Sequence, residues 1–449
     1  MTKKLLAILA AGAILAAGCG TVRKAREAQD TSKIAAGERT VTAAEVGLTK
    51  GTLLTLERSL EIALVYHPTI AQARSSLAST EKQYSDAVAG YLPSVSAGAS
   101  YKKGTSNNSL ASASNESNKS YSANVSLNQL IYDFGKTPAA IRQAYENTLS
   151  TEALLKSTEN NIVYNTRQAY YDLIKQQALV KVAEETVHQY EVHLEQTQNL
   201  FEVGRRIKYD ITKAEVDLGN ARISLSNARN ALTTARAVLN NTLGLAEDAG
   251  YTVQEPPAGE FKDRNFDELV KIARQSQPEL VAQIAKERAA SAAIDQAIAN
   301  LYPSLSLSGG YSWSGSQFPL VWNWSLGALL SGTLFNSFRN TNQIDEAVAN
   351  LRSTRAARAA LEQRIYLDLT RAVAQLESAG ERLILAKLTV QQAEENLNLV
   401  NERYKLGKAS SVELTDAQVA LTNTKVNNIQ AKFDYQTAIA LIKKTIGGK

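Results

Sequence analysis

The sequence predicts a mostly α-helical protein with a smaller β component of the membrane-barrel type, arranged as two internal repeats. Three observations predict it. Pro303–Phe338 carries no Asp, Glu, Lys or Arg, yet alternates between apolar and small polar residues. All eight prolines avoid two tracts, 139–255 and 320–449, that are rich in Ala, Leu, Gln, Glu, Lys and Arg. Those are good helix formers. Finally, motifs of the first half recur in the second, as in solenoids and other duplicated folds.

In chain order, the N-terminus comes first. Lys3 and Lys4 precede the apolar run Leu5–Leu15, then small residues and the only cysteine of the chain, Cys19. This is the pattern of a secretory signal peptide, 1–18, which is excluded from the fold. A lone cysteine also rules out an internal disulfide. Leu15-Ala16-Ala17-Gly18-Cys19 resembles the lipobox of bacterial lipoproteins, with Ala16 where Leu is commoner. The resemblance implies cleavage before Cys19 and covalent lipid on it, which anchors a protein to a surface without spanning it. The alternative is ordinary cleavage near Ala17, leaving a free thiol. Gly20 at the next position implies sorting to the outer membrane. Residues 19–52 are polar and of mixed charge, predicting an extended, loosely ordered linker.

The first repeat is placed at 53–250 and the second at 251–449. Tyr91-Leu92-Pro93-Ser94-Val95 recurs as Leu301-Tyr302-Pro303-Ser304-Leu305, and Thr242-Leu243-Gly244 as Thr445-Ile446-Gly447. Each repeat opens with short helices, at about 53–66 and 69–90 and again at 266–276 and 279–300. A β-hairpin follows at 93–131 and at 303–335. In the second, Leu305, Leu307, Gly309, Tyr311 and Trp313 share one face while Ser304, Ser306, Ser308 and Ser312 share the other. The first alternates likewise, with Lys102, Lys103, Glu116 and Lys119 gathered at its loop end. About ten residues per pass, apolar on one side and polar on the other, is how a transmembrane barrel strand reads. A soluble hairpin also alternates, but its solvated face usually carries charge. Trp313, Trp322 and Trp324, the only tryptophans, sit where an interfacial aromatic girdle would lie. Long helices complete the repeats, at 136–202 and 209–244 and at 339–404 and 411–446. The outgoing helix of each repeat is close to ~100 Å at 1.5 Å per residue. Ile162, Ala169, Leu173, Leu179, Val187, Leu194 and Leu200 recur at near-heptad spacing, favouring coiled-coil neighbours.

Four strands per chain cannot close a barrel, and open sheet edges in lipid cost several kcal/mol per unpaired amide. Closure therefore needs more copies. Two give eight strands, whose interior fills with side chains. Three give twelve, with a radius of roughly 12 Å and room for water. Serine, glycine and asparagine on the inward face favour the wet, twelve-stranded trimer.

At this point Tyr404-Lys405-Leu406-Gly407, followed by Leu414-Thr415-Asp416-Ala417-Gln418, completes a resemblance. With the signal peptide and the repeated order of helix, hairpin, long helix, turn and helix, the chain resembles the TolC family of outer-membrane efflux proteins over nearly its whole mature length. Cys19 brings it nearest the lipid-anchored, drug-efflux branch. The resemblance implies a homotrimeric channel: a 12-stranded barrel in outer-membrane lipid, continued by a long α-helical coiled-coil barrel closed at its periplasmic tip. It implies two partners at that tip, a periplasmic adaptor (membrane fusion) protein and an inner-membrane transporter of RND, ABC or MFS type. No cofactor is implied beyond the lipid on Cys19. Val203-Gly204-Arg205 and Leu406-Gly407-Lys408 match the adaptor-docking tips, although each glycine also reads as a helix C-cap. Arg205, Arg206 and Lys208 depart from the family's smaller polar residues and point to acidic adaptor contacts. Asp416 matches the constriction aspartate of the gate and Val412 its apolar ring, the alternative being a solvated helix face. Lys213 holds the equivalent place in the first repeat, positioned to pair with an acidic neighbour.

Enzymatic function finds no support. His67, His188 and His193 are the only histidines, and the last two miss the four-residue spacing of a helical metal pair. They read as one helix-end and two surface residues. No phosphate loop or nucleophile elbow is present, and the net charge of +5 without a basic block excludes nucleic acid. Two alternatives to an efflux duct remain: the outer-membrane component of a type I protein secretion system, and a structural coiled-coil envelope protein.

Overall fold

A computed structural model of the chain describes residues 21–30, 39, 41–104, 118–247, 250–257, 259, 261 and 265–448. Cys19, the expected signal peptide and Glu116 lie outside these. The chain is mostly helical with some sheet and divides into two compact units. The first holds Met1–Arg74, Ser157–Gln277 and Ile365–Lys449; the second holds Ser75–Lys156 and Pro278–Arg364.

Helix α1 covers residues 21–29 and is exposed throughout. Beyond it the expected loose linker is corrected. Val41, Ala43, Val46 and Leu48 are buried, with Val41 bridging to Leu245. Val41, Ala43, Val46 and Leu48 give this short run an apolar side on which to pack. The expected helix at 53–66 is also shorter. Leu53–Leu54 form strand β1, and Thr55 then caps α2 (Leu56–Tyr66) by accepting from the Arg58 amide. Helix α3 (Pro68–Ala89) starts on a proline, whose missing N–H costs nothing at a first helical position.

Strands β2 (Ser94–Gly104) and β3 (Asn118–Tyr132) lead to α4 (Lys136–Glu202) and α5 (Lys208–Thr242). Strand β4 (Thr252–Val253) pairs in parallel with β1, a two-stranded sheet that periodicity could not reveal because each strand has two residues. Helices α6 (Phe266–Ser276) and α7 (Pro278–Ala299) precede β5 (Ser304–Gly315) and β6 (Val321–Ser331). Helices α8 (Arg339–Lys405) and α9 (Ser411–Thr445) end the described chain. Both α4 and α8 run 67 residues, and both α5 and α9 run 35.

In the first unit, Leu54, Ile62, Leu239, Leu269 and Ile442 are fully buried, as is Tyr170. Its hydroxyl reaches the carbonyl oxygens of Leu54 and Gln254 at 2.9 and 2.6 Å, tying α4 to both short strands. Burial pushes this phenol up to about 12. Gly244 and Gly447 close the unit with positive φ angles of 76° each. A Cβ at Gly447 would lie 2.5 Å from the Ser276 carbonyl oxygen, so backbone and not merely conformation demands glycine there.

The second unit packs through small side chains. Ala282, Ala285, Ala289 and Ala292 bury one stripe of α7. Glu287 of α7 accepts from Arg355 and Arg358 of α8 at 3.0 and 3.1 Å. Burial alone would raise that carboxyl; the two guanidinium hydrogen bonds outweigh it and hold the group below its ordinary range.

Candidate functional site

Two parts of the molecule carry sequence-predicted site residues, one in each unit. In the second unit, the four strands form one antiparallel sheet of order β2-β3-β5-β6. Its register keeps the faces apart: Val125 opposes Ala97 and Tyr311, while Ser126 opposes Ser96 and Gly310. On the polar face the hydroxyls of Ser96 and Ser126 lie 2.7 Å apart, and those of Ser100 and Ser122 2.8 Å. On the apolar face Trp313 opposes Trp322, and Trp324 opposes Tyr311, grouping all three tryptophans with Tyr311 near the β5–β6 turn. Trp322 and Trp324 are 57% and 68% exposed. Sequence reasoning missed a second aromatic cluster at the opposite end. Phe134 stacks on Tyr302 there and meets Tyr132 edge-on, with Phe335 against Phe338. Phe134 and Phe338 have φ of 52° and 66°, a region that non-glycine residues avoid. Aromatic residues flanking both hairpins were the available signal.

In the first unit, α4 turns into α5 and α8 turns into α9. Each outgoing helix ends in the same cap. The Gly204 amide donates to Phe201 and the Arg205 amide to Leu200; the Gly407 amide donates to Tyr404 and the Lys408 amide to Arg403. The two glycines have φ of 73° and 74°, and no atom stands within 4 Å of where a Cβ would be. Their requirement is therefore the left-handed backbone of a helix C-cap, and it leaves Val203 and Leu406, 68% and 71% exposed, at the apices. Arg205 and Lys408 are exposed beside them.

The returning helices start differently. Ser410 and Glu413 make a full capping box at α9, whereas Ile207 offers α5 no side-chain cap. Along α9, Val412, Asp416 and Val419 form an exposed stripe, and no ion pair to Asp416 exists among the described residues. Lys213 does not share that exposure; it is half-buried and pairs with Asp217 at 2.8 Å. Beside Asp217, a groove of about 450 Å³ runs between α4, α5 and α9.

Between the turns lies a polar cluster that sequence reasoning missed. Asp210 of α5, itself buried, accepts from the Ser411 hydroxyl of α9 at 2.8 Å. Asp217 also lies 3.5 Å from the Thr415 hydroxyl. The Arg206 guanidinium sits 4.5 Å from the Tyr404 ring centre and donates to the Ala409 carbonyl oxygen. Tyr404, 2% exposed, packs its other contacts against Ala409, Leu414 and Leu200. His193 corrects the surface reading: it is 3% exposed, with its ring 5.6 Å from that of Tyr404. Tyr190, His193 and Thr197, spaced three and four apart, share the buried face of α4, and that spacing was the overlooked signal. His188 is exposed and His67 caps α2.

An amphipathic sheet whose only charged residues are Lys102, Lys103 and Lys119, and long helices that end in exposed turn apices, are the features that family comparison decides. The outer membrane efflux protein model matches residues 60–245 and 269–448. The chain belongs to that family. Among outer membrane efflux proteins, it is similar to the probable efflux pump outer membrane protein TtgC of Pseudomonas putida. Identity there is 24% over 413 residues, covering 88% of this chain and 83% of the relative. It is likewise similar to the antibiotic efflux pump outer membrane protein ArpC of Pseudomonas putida, at 25% over the same spans. The solved CmeC outer membrane channel of Campylobacter jejuni superposes with a TM-score of 0.81 at 17% identity, covering 88% of this chain and 85% of that one. That likeness establishes the fold. Outer membrane efflux proteins are channels and not enzymes, and this chain is an outer-membrane efflux component.

Proposed function

We propose that three copies of this chain form the exit duct of a tripartite efflux system. It would carry solutes passively from a periplasmic adaptor and an inner-membrane pump to the exterior. One observation carries this reading: a four-stranded sheet without charge over most of its length, one face apolar and exposed, the other serine, glycine and asparagine, with β2 and β6 as outer strands. Such edges cannot stay open in lipid, and joining β6 of one copy to β2 of the next closes twelve strands around a polar lumen. The equal lengths of α4 and α8, and of α5 and α9, support descent from two internal repeats that together build a helical barrel.

On this reading Trp313, Trp322 and Trp324 are part of the interfacial girdle. Val203-Gly204-Arg205 and Leu406-Gly407-Lys408 dock the adaptor. Val412 and Asp416 line the periplasmic gate, where three aspartates repel one another and hold the closure ready to open. Lys213 braces the first turn through Asp217. Lipid on Cys19 anchors the mature chain in the outer membrane of a Gram-negative cell, and labelling with radioactive palmitate, lost in Cys19→Ser, tests that step. The pump and adaptor choose the cargo, because the lumen face is generic.

Planar-bilayer recording of the purified mature protein tests the duct. Discrete currents are expected, and Asp416→Ala should raise the closed-state conductance. A protein that remains monomeric and soluble without detergent would overturn the reading, as would an Asp416→Ala channel indistinguishable from the parent.

A further inference from the structure

We propose that His193 makes the locking of the two helical turns responsive to pH, holding them together when neutral and loosening them when protonated. The argument begins with position. His193 is the only buried histidine among the described residues, and it sits on α4 where both turns meet. Its Nδ1 has no hydrogen-bond partner among the described residues, and neither has the buried Tyr404 hydroxyl. The ring fills a space and makes an aromatic contact, and no group is hydrogen-bonded to its Nδ1.

The charged and titratable groups facing it come from every element packed around it. The α4–α5 turn presents Arg206, α5 presents Asp210, Lys213 and Asp217, and α8 presents Tyr404. Helix α9 contributes the hydroxyls of Ser411 and Thr415 to the cluster. Both carboxylates are already engaged, Asp210 by Ser411 and Asp217 by Lys213 and Thr415. A proton on His193, itself only 3% exposed, would therefore add a third cation beside Arg206 and Lys213. Burying an unpaired charge is costly enough that the site opens or the group stays neutral.

Burial lowers the imidazole below its ordinary 6.5; Asp217 pulls it back up, while Lys213 and Arg206 push it further down. The sign follows by linkage. Locked turns favour neutral His193, so locking is complete above pH 6.5 and weakens as pH falls from there through the lowered value. Histidine is the side chain suited to switch in that window. Opening needs no new contact: it solvates His193 and releases Tyr404 from Arg206.

The packing claim is independent of the duct, whereas its consequence for current rests on the duct reading. The test is hydrogen–deuterium exchange on the purified mature chain in detergent, corrected for intrinsic rates, between about pH 8 and pH 5.5. Peptides covering 187–202 and 397–409 should lose protection on acidification, by up to about tenfold, and His193→Gln should make the profile flat. Should His193→Gln fail to fold, Arg206→Gln serves: removing one neighbouring cation should move the midpoint to higher pH. Exchange independent of pH in the wild type overturns the proposal, as does a wild-type pH slope surviving in His193→Gln or an unmoved midpoint in Arg206→Gln. In planar bilayers, openings should become more frequent as the pH falls. Current without pH dependence overturns the switch and leaves the duct standing. Exchange that responds to pH in a protein passing no current at any pH supports the switch and sinks the duct.

Discussion

The α4–α5 and α8–α9 turns use the same glycine cap and then part company. Counted from that glycine, Phe201 matches Tyr404, Ile207 matches Ser410, Asp210 matches Glu413, and Lys213 matches Asp416. Phe201 is 42% exposed, whereas Tyr404 is 2% exposed. The second turn supplies its own order: an internal capping box and a buried aromatic anchor. The first supplies bonds outward, sending Arg206 to Tyr404 and Ala409, and Asp210 to Ser411. One turn is a self-contained fixture and the other a clasp upon it.

The comparison can be broken most forcefully at the aromatic pair. Tyr404→Ala should cost about 3–5 kcal/mol of local stability, read as lost exchange protection through the end of α8. Phe201→Ala, at the matching place, should cost well under half as much; equal losses would erase the distinction. Next comes Asp210→Ala, which strands the buried Ser411 hydroxyl and should cost about 1–3 kcal/mol. Its effect should spread into α9, while Glu413→Ala, worth about 1 kcal/mol, should stay local. Gly204→Ala and Gly407→Ala should each cost about 1–2 kcal/mol and match one another, because both sit at left-handed φ in open space. A larger loss at Gly407 in thermal melts would mean that something presses on it. Smallest is a gain: Ile207→Ser should add about 0.5–1 kcal/mol by giving α5 the cap that α9 already has.

Much of this architecture was legible in the residues. Proline-free tracts rich in helix formers become α4, α5, α8 and α9, and strict alternation in Pro303–Phe338 becomes β5 and β6. Those signals are local and repeat many times, so they survive without tertiary knowledge. What escaped had too few residues to show a period or needed a distant partner. Strands β1 and β4 have two residues each and exist only because they meet. Residues 41–48 are apolar at Val41, Ala43, Val46 and Leu48, but the run is too short to show a period inside a polar stretch, and it is seated by packing. Glu191 and Glu195 beside His193 in α4 suggest a surface position, whereas the ring is buried against Tyr404, far away in the chain. The same holds for the site. Glycines, exposed apices and the Val412–Asp416 stripe could be listed from the sequence, but the clasp of Arg206 and Asp210 on the other turn could not.

The paired hydroxyls of the sheet, Ser96 with Ser126 and Ser100 with Ser122, have one more implication. Each bond uses one of the pair's two hydroxyl protons, leaving a donor and several lone pairs free, none of them charged. On the proposed duct reading, such a wall would hydrogen-bond water and solute alike and would carry no charge with which to choose between a drug, a metal complex and a peptide.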